Sequence, residues 1–466
     1  MPLTPPFATR WRLAKVRRWS YRNPIAWLRF RHSTILGGTR MARIVLATFG
    51  SFGDLHPYIA VALELQRRGH TPVVATSPAY RAKVESLGLE FAPVRPDLPD
   101  PSEYGPFLKR MMHPSKGTQR LMTEFFLPQL ANSFADTLAA ANGADLLIGH
   151  PITFTVRLVA ESRGIPWISS VLAPISFLSA YDPPAVPVIP GLAEWRFLGP
   201  WFFRGFFDFA KRATHAWGAP WHALRAELGL PPIRENPLFD AQHSPHRVLA
   251  MFSQHYAAPQ VDWPTQTHVT GFPWYDRNAN DALPDDVRDF LDAGDPPLVF
   301  TLGTAAVFDA GSFYVHAMEA ARRLKRRAIL MIGTDERNRP TQLPDSIRVV
   351  EYAPYSQLFP RAAAVIHQGG IGTTAQAMRA GVPMLVVPFA HDQHDNAARI
   401  RRLGVGGKLK RSRWSPRAAV AALQPLLHDP AIAQRANELG HRIHEESGAA
   451  IAADRIEADW QEFSRG

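Results

Sequence analysis

Apolar positions along this chain follow two spacings, and the two alternate. Residues 43–48 are a short apolar, β-rich run, the pattern of a strand buried on both faces. A glycine-rich turn follows, Phe49-Gly50-Ser51-Phe52-Gly53-Asp54-Leu55-His56-Pro57, and then residues 58–68 carry helical spacing that Gly69 ends. Residues 71–76 predict the next strand. A strand, loop, helix and strand in that order predict parallel pairing. The rhythm repeats with a strand at 145–148, a helix at 152–163 and a strand at 166–171. Strands at 247–252 and 267–270 close the first half. A second series starts with a strand at 298–302, followed by Gly303-Thr304 and a helix at 313–323. Strands at 328–332, 347–350, 364–366 and 384–387 continue it. A last helix, about 449–463, is expected to pack back across the junction of the two halves.

Two stretches break the alternation. Residues 175–240 are crowded with aromatics, among them Trp195, Phe197, Trp201, Phe202, Phe203, Phe206, Phe207, Phe209, Trp217 and Trp221. They read as a mixture of core with either a wide apolar pocket or a surface facing lipid. Residues 271–297, rich in Pro, Asp, Asn and Gly, read as a linker, and the proline clusters at 97–106 and 181–190 read as loops.

The length of 466 residues suits two to three domains, and 46% hydrophobic with 20% charged residues suits a globular protein with a large core. No cysteine is present, which excludes disulfides, thiolate metal sites and a thiol nucleophile. The net charge is +11, but nine Lys/Arg and no Asp/Glu lie in residues 1–40, leaving +2 for the rest. A nucleic-acid partner is therefore not supported. The basic segment also carries Phe7, Trp11, Trp19, Tyr21, Trp27 and Phe30. It reads as a disordered leader or an unused upstream start before Met41, the alternative being a peripheral membrane anchor. Its apolar stretches are too short for a signal peptide or a span.

The densest chemical signal is His367-Gln368-Gly369-Gly370-Ile371-Gly372-Thr373-Thr374, between an apolar strand and a helix. Glycines allow close backbone approach, and a helix N-terminus offers free N–H groups and a positive dipole end. With the Thr373 and Thr374 hydroxyls and the His367 imidazole, this suits a diphosphate. Further on, Gly381-Val382-Pro383 precedes a strand, and Asp392-Gln393 follows it at the edge where parallel sheets bind ligands. A carboxylate and an amide there suit sugar hydroxyls. His391, Asp392, His394 and Asp395 offer a metal as an alternative.

Those motifs, in that order and spacing, resemble the donor-binding signature of the GT-B glycosyltransferases of family 1, the UDP-glycosyltransferase group. The bacterial antibiotic, sterol and rhamnolipid-type branch is the most similar. The Gly50-to-Pro57 loop resembles that branch's Gly-Ser-x-Gly-Asp-x-x-Pro loop, so the resemblance runs from about Arg43 to Gly406. It implies an α/β protein of two Rossmann-like domains whose parallel sheets face each other across a cleft. The expected layout is a basic aromatic extension (1–40), an acceptor domain (41–270), a linker (271–297), a nucleotide-sugar domain (298–445) and a C-terminal helix returning to the first domain (446–466).

The resemblance places the catalytic base at Asp54, whose purely structural reading is a helix cap. It places donor contacts at Gly303, Thr304, Tyr352, His367, Gly369, Gly370, Gly372, Thr373, Thr374, Gln376, Asp392 and Gln393. His56 is secondary, and His150 is either a cleft residue or a core histidine. The implied reaction moves a hexose from a UDP- or dTDP-sugar to a hydroxyl of an apolar acceptor. That acceptor would be a natural product, a sterol or terpenoid, or a hydroxyacyl lipid. Transfer would proceed with inversion, without a metal or cofactor. The alternatives are a nucleotide-sugar epimerase or a non-catalytic nucleotide-sugar sensor. The expected partners are the donor and the acceptor, and the expected location is the cytoplasm, with the extension offering peripheral contact at the inner membrane face.

Overall fold

A computed structural model describes residues 41–99, 101–186, 188–189, 191–275 and 282–465. The extension 1–40 lies outside the described residues, as do 276–281 of the linker and parts of the two proline clusters.

Two all-parallel sheets form among the described residues. The first contains β1 (Arg43–Ala47), β2 (Thr71–Thr76), β3 (Glu90–Pro93), β4 (Leu146–Gly149), β5 (Trp167–Val171), β6 (Val248–Ala250) and β7 (Thr267–Val269), in the order β3-β2-β1-β4-β5-β6-β7. The second contains β8 (Leu298–Thr301), β9 (Ala328–Met331), β10 (Ile347–Val350), β11 (Ala364–His367), β12 (Met384–Val386) and β13 (Gly406–Lys408), in the order β10-β9-β8-β11-β12-β13. Central strands such as β1, β4, β8 and β11 are buried nearly end to end. Parallel strands covered by helices on both faces require continuous apolar runs of this kind.

The strand orders determine where a ligand can bind. In the first sheet the chain leaves β1 toward β2 and later returns on the other side as β4. In the second it leaves β8 toward β9 and returns as β11. Loops at the carboxyl ends of such a pair diverge to opposite faces and leave a crevice between them. The loop carrying Asp54 follows β1, and His150 follows β4. Gly303 follows β8, and His367 to Gly370 follow β11.

Five helices bear on function: α1 (Phe52–Arg67), α2 (Gly199–Ala213), α3 (Ile371–Arg379), α4 (Gln393–Leu403) and α5 (Gly448–Phe463). Helix α1 starts six residues before the predicted 58. Ser51 caps it, accepting from Gly53 N, and Asp54 returns a hydrogen bond to the Ser51 backbone, a reciprocal box that outweighs Gly53 and Pro57 as breakers. Helix α5 lies against the first sheet's layer, where Ala452, Ala453, Ile456 and Trp460 share a core with Ile44, Leu46, Tyr58 and Val61. Arg68 bonds Glu457 at 2.8 Å, and Arg247 bonds Asp459 at 2.8 Å.

The linker is not all loop. Asp285–Asp292 is a helix whose Val287, Phe290 and Leu291 are buried in the core that joins the two halves. Its 3–4 apolar spacing is embedded in a run of aspartates, which hides it from a composition reading. The aromatic region 175–240 divides as a mixture: Phe203, Phe207 and Trp221 are buried, while Trp195, Phe197, Trp201 and Phe209 are exposed.

Candidate active site

The first wall of the cleft is the turn after β1. Gly50 has φ 135, and a Cβ there would lie 2.2 Å from Asp54 Oδ2, so only glycine lets that carboxylate fold back over the turn. Asp54 Oδ2 accepts from Ser51 N at 2.7 Å and from Ser51 Oγ at 3.1 Å. Oδ1 stands 4.0 Å from His150 Nε2. The helix-cap reading and the cleft-facing reading of Asp54 therefore coexist, one oxygen for each. Burial pushes the Asp54 carboxyl up to about 6, against the opposing hydrogen bonds from Ser51.

His150 is brought beside Asp54 by strand pairing, since Ala47 of β1 lies opposite Gly149 of β4. Burial pushes its imidazole down to about 3, so the ring is neutral. Its Nδ1 accepts from Ile152 N at 3.4 Å, which directs the Nε2 proton toward Asp54. His56 points elsewhere, its ring packed between Phe52 and Tyr275 at centroid distances of 5.3 and 5.0 Å.

The facing wall is built on β11 and α3. Gly370 is the N-cap of α3 and has no side chain to cap with. The first backbone bond of the helix is Thr374 N to Gly370 O at 2.9 Å, so the N–H groups of Ile371, Gly372 and Thr373 have no intrahelical acceptor. A Cβ on Gly372 would meet Gly53 Cα at 3.4 Å, which places the start of α3 against the start of α1. His367 is fully buried. Its Nδ1 accepts from Gly369 N at 3.1 Å, and its Nε2 has no hydrogen-bond partner. Burial pushes this imidazole also down to about 3, leaving a neutral ring with the proton on Nε2. The Gln368 side chain lies between Gly303 and Gly370, with its Oε1 buried and unpaired.

Asp392 closes the cleft. Burial and then the charge of Asp54 push its carboxyl up to about 7, an electrostatic sign that these two carboxylates from opposite lobes share one space. Its Oδ2 accepts from Asn396 Nδ2 at 2.8 Å. Asn396 Nδ2 also donates to Gly369 O at 2.7 Å, and its Oδ1 accepts from Tyr256 OH at 2.6 Å. One buried amide thus ties Asp392, the glycine loop and the first lobe together. Next to it, His391 holds φ 55, and its Nδ1 lies 3.1 Å from Thr118 Oγ1 of the first lobe.

Other expected residues fall in place less simply. Gly303 and Thr304 lie in the turn after β8, with Thr304 exposed. Tyr352 is exposed just past the carboxyl end of β10, on the same edge. Gln376 is half-buried one turn beyond Gly372. Two expectations change. The Thr374 hydroxyl is fully buried and donates to Gly370 O at 2.9 Å, and the Thr373 side chain is buried beside Tyr355. The Thr374 hydroxyl therefore braces the turn, and Thr373 adds its backbone N–H at the helix start. Gln393 Oε1 accepts from Phe389 N at 2.8 Å and Ala390 N at 3.1 Å, so only its Nε2 end remains for a ligand. The four residues considered for a metal do not converge. Asp395 Oδ2 bonds Arg399 Nε at 2.7 Å while its Oδ1 accepts from Ala185 N at 3.0 Å, and no cluster able to hold a metal occurs among the described residues. Asn396 and Tyr256 were not anticipated. The i,i+4 step from Asp392 marks Asn396, but no local pattern marks Tyr256.

Two doubly wound lobes, one offering a carboxylate and the other an open helix N-terminus to a shared cleft, define a transferase of the GT-B type. Residues 44–181 match the glycosyltransferase family 28 N-terminal domain, and residues 315–457 match the erythromycin biosynthesis protein CIII-like C-terminal domain. The chain is 34% identical to O-mycaminosyltylonolide 6-deoxyallosyltransferase of Streptomyces fradiae over 443 residues, covering 90% of this chain and 98% of that one. It is 29% identical to sterol 3-beta-glucosyltransferase of Leptosphaeria maculans, of which it spans 28%. A spinosyn rhamnosyltransferase solved with thymidine diphosphate has the same fold, at a TM-score of 0.64 and 18% identity, covering 90% of this chain and all of that one. The chain belongs to the family 1 glycosyltransferases, and it is a glycosyltransferase enzyme.

Proposed function

We propose that this enzyme transfers a hexose from a dTDP- or UDP-sugar to a hydroxyl of an apolar acceptor, with inversion at the anomeric carbon. The carrying observation is the opposition of Asp54 to the uncapped start of α3, with Asp392 beside both. In this reading the diphosphate lies on the N–H groups of Ile371, Gly372 and Thr373, and an oxygen satisfies the orphan Nε2 proton of His367. The helix dipole and this donor stabilise the charge that grows on the leaving group. Gly303, Thr304, Gly369 and Gly370 provide the close-lying backbone of the diphosphate site. Tyr352 stacks on the base, Gln376 reaches the ribose, and Asp392 with the Gln393 amide nitrogen holds the sugar hydroxyls.

The acceptor oxygen forms a bond to C1 as the bond from C1 to the phosphate oxygen breaks. Its proton passes to Asp54, and the bond pair leaves on the nucleotide diphosphate. A carboxylate with its pKa near 6 is a better base than an ordinary aspartate and is still ionised at neutral pH. His150, neutral and with its Nε2 proton turned toward Asp54, stands 4.0 Å from the other Asp54 oxygen, within reach of an acceptor hydroxyl held there. These groups stabilise the leaving group without a metal, so the reaction is expected to run unchanged in EDTA.

An apolar acceptor is favoured by Phe49, Phe126, Ile152 and Phe154, which sit together at the carboxyl ends of β1 and β4 beside Thr48, Arg95, Ser133 and Thr137. Mass spectrometry of products from a panel of polyketide, sterol and hydroxyacyl acceptors with dTDP- and UDP-sugars tests the reading. Glycosides of inverted configuration are expected. Isomerised donor would show an epimerase instead, and donor binding without turnover would show a sensor.

A further inference from the structure

Helix α2 presents aromatic side chains on both faces. Phe203 and Phe207 are buried over the 178–189 loop with Ala180 and Leu192. On the other side Trp201 is 87% exposed and Phe209 67%, and Gly205 between them adds no polar side chain to the stripe. In the turn leading into the helix Phe197 is 81% exposed. Water-facing helix surfaces are ordinarily polar, and clustered exposed aromatics mark an interaction surface.

The rim indicates which partner fits. Arg204 and Arg212 are exposed on the helix, with Asp208 as its only acid. Arg401 reaches Glu194 at 3.1 Å, and Lys408 lies close enough to Arg401, Glu194 and Lys410 to feel their charge. The surface is thus aromatic in the middle and basic at the edge. A two-fold contact between copies would set these arginines against themselves, whereas an anionic lipid surface complements them. Residues 1–40 repeat the chemistry in sequence, with nine Lys/Arg, no Asp/Glu, and Trp11, Trp19 and Trp27. Among the described residues no helix is long and apolar enough to cross a membrane, so the mode is surface docking.

We propose that the outer face of α2 and the turn before it dock on anionic lipid. Phe197, Trp201 and Phe209 enter the boundary between headgroups and acyl chains, and Arg204 and Arg212 meet lipid phosphates. Docking would place the acceptor lobe where an apolar acceptor partitions. The helix is tied to the donor lobe through its underlying loop: Asp182 pairs with the buried Arg399, and Ala185 N donates to Asp395.

The test is co-sedimentation of the full chain with phosphatidylcholine vesicles, with and without phosphatidylglycerol. The unsubstituted chain is expected to sediment with the anionic vesicles. A Phe197→Glu, Trp201→Glu, Phe209→Glu variant is expected to lose about tenfold or more in partitioning, with its unfolding midpoint unchanged. Arg204→Glu with Arg212→Glu, which leaves the aromatics in place, should remove the preference for phosphatidylglycerol. Equal sedimentation of the triple variant would overturn the proposal, because residues 1–40 or another surface would then account for binding. So would failure of the unsubstituted chain to sediment, or a lipid-free dimer that the triple substitution dissociates. None of these readouts depends on the reaction.

Discussion

The loops after β1 and after β11 are the same device built twice: a strand ends at a switch point, glycines turn the chain, and a helix starts facing the cleft. They differ in how the helix start is satisfied. Helix α1 is closed by its own side chains, Ser51 on Gly53 N and Asp54 on Ser51 N. Its positive end is neutralised, and it presents a carboxylate. Helix α3 begins at a glycine that caps nothing, and the Thr374 hydroxyl turns inward to Gly370 O. Its positive end stays available to an anion. Self-capping at one lobe and its absence at the other leave a carboxylate on one wall and unbonded N–H groups on the other, which the proposed reaction uses as base and anion site. The folds around them are nearly alike.

That contrast breaks most visibly at Asp54. Asp54→Asn is expected to lower kcat by about 10²–10⁴ while calorimetry shows nucleotide diphosphate binding retained. Unchanged turnover would remove Asp54 from the reaction. Making α3 resemble α1 should do the converse. Gly370→Asp would cap α3 with its own carboxylate and weaken thymidine diphosphate binding by about 10- to 100-fold, with the unfolding midpoint little moved because Asp and Gly caps differ by only tenths of a kcal/mol. Gly370 has φ −60, so the new side chain meets no backbone strain, only the movable Gln368 amide.

Smaller effects refine the comparison. Below the Asp54 pKa of about 6, kcat/KM should fall about tenfold per pH unit, a limb absent from Asp54→Asn. Tyr256→Phe removes the cross-lobe bond to Asn396 and should raise the donor KM about fivefold with kcat less affected, consistent with one buried hydrogen bond. Asp392 carries a raised pKa, so between pH 3.8 and about 7 the folded protein holds a proton that the unfolded chain has released. Stability therefore falls as pH rises through that window. Asp392→Asn should lessen the fall, leaving the part due to Asp54, and gain about 1–2 kcal/mol at pH 8 by denaturant unfolding, with weaker donor binding expected.

Sequence periodicity exposed much of this arrangement and hid the rest for identifiable reasons. The buried parallel strands and the glycine turn after β11 are local patterns, and they were legible. The start of α1 was not, because Gly53 and Pro57 look like breakers until the Ser51–Asp54 box is considered. His150 meets Asp54 only through the pairing of β1 with β4, and Tyr256 meets Asn396 across 140 residues of chain. Neither is a property of any short window. On α2 the same residue type is fully buried at Phe203 and exposed at Phe209, a distinction set by what lies beneath the helix.

The most direct test is a crystal structure of the protein with thymidine diphosphate bound. Diphosphate oxygens are expected about 3 Å from the N–H groups of Ile371, Gly372 and Thr373 and from His367 Nε2, with the Asp54 carboxylate facing them across the cleft. A diphosphate held away from the start of α3, or an Asp54 carboxylate turned out of the shared space, would contradict this arrangement.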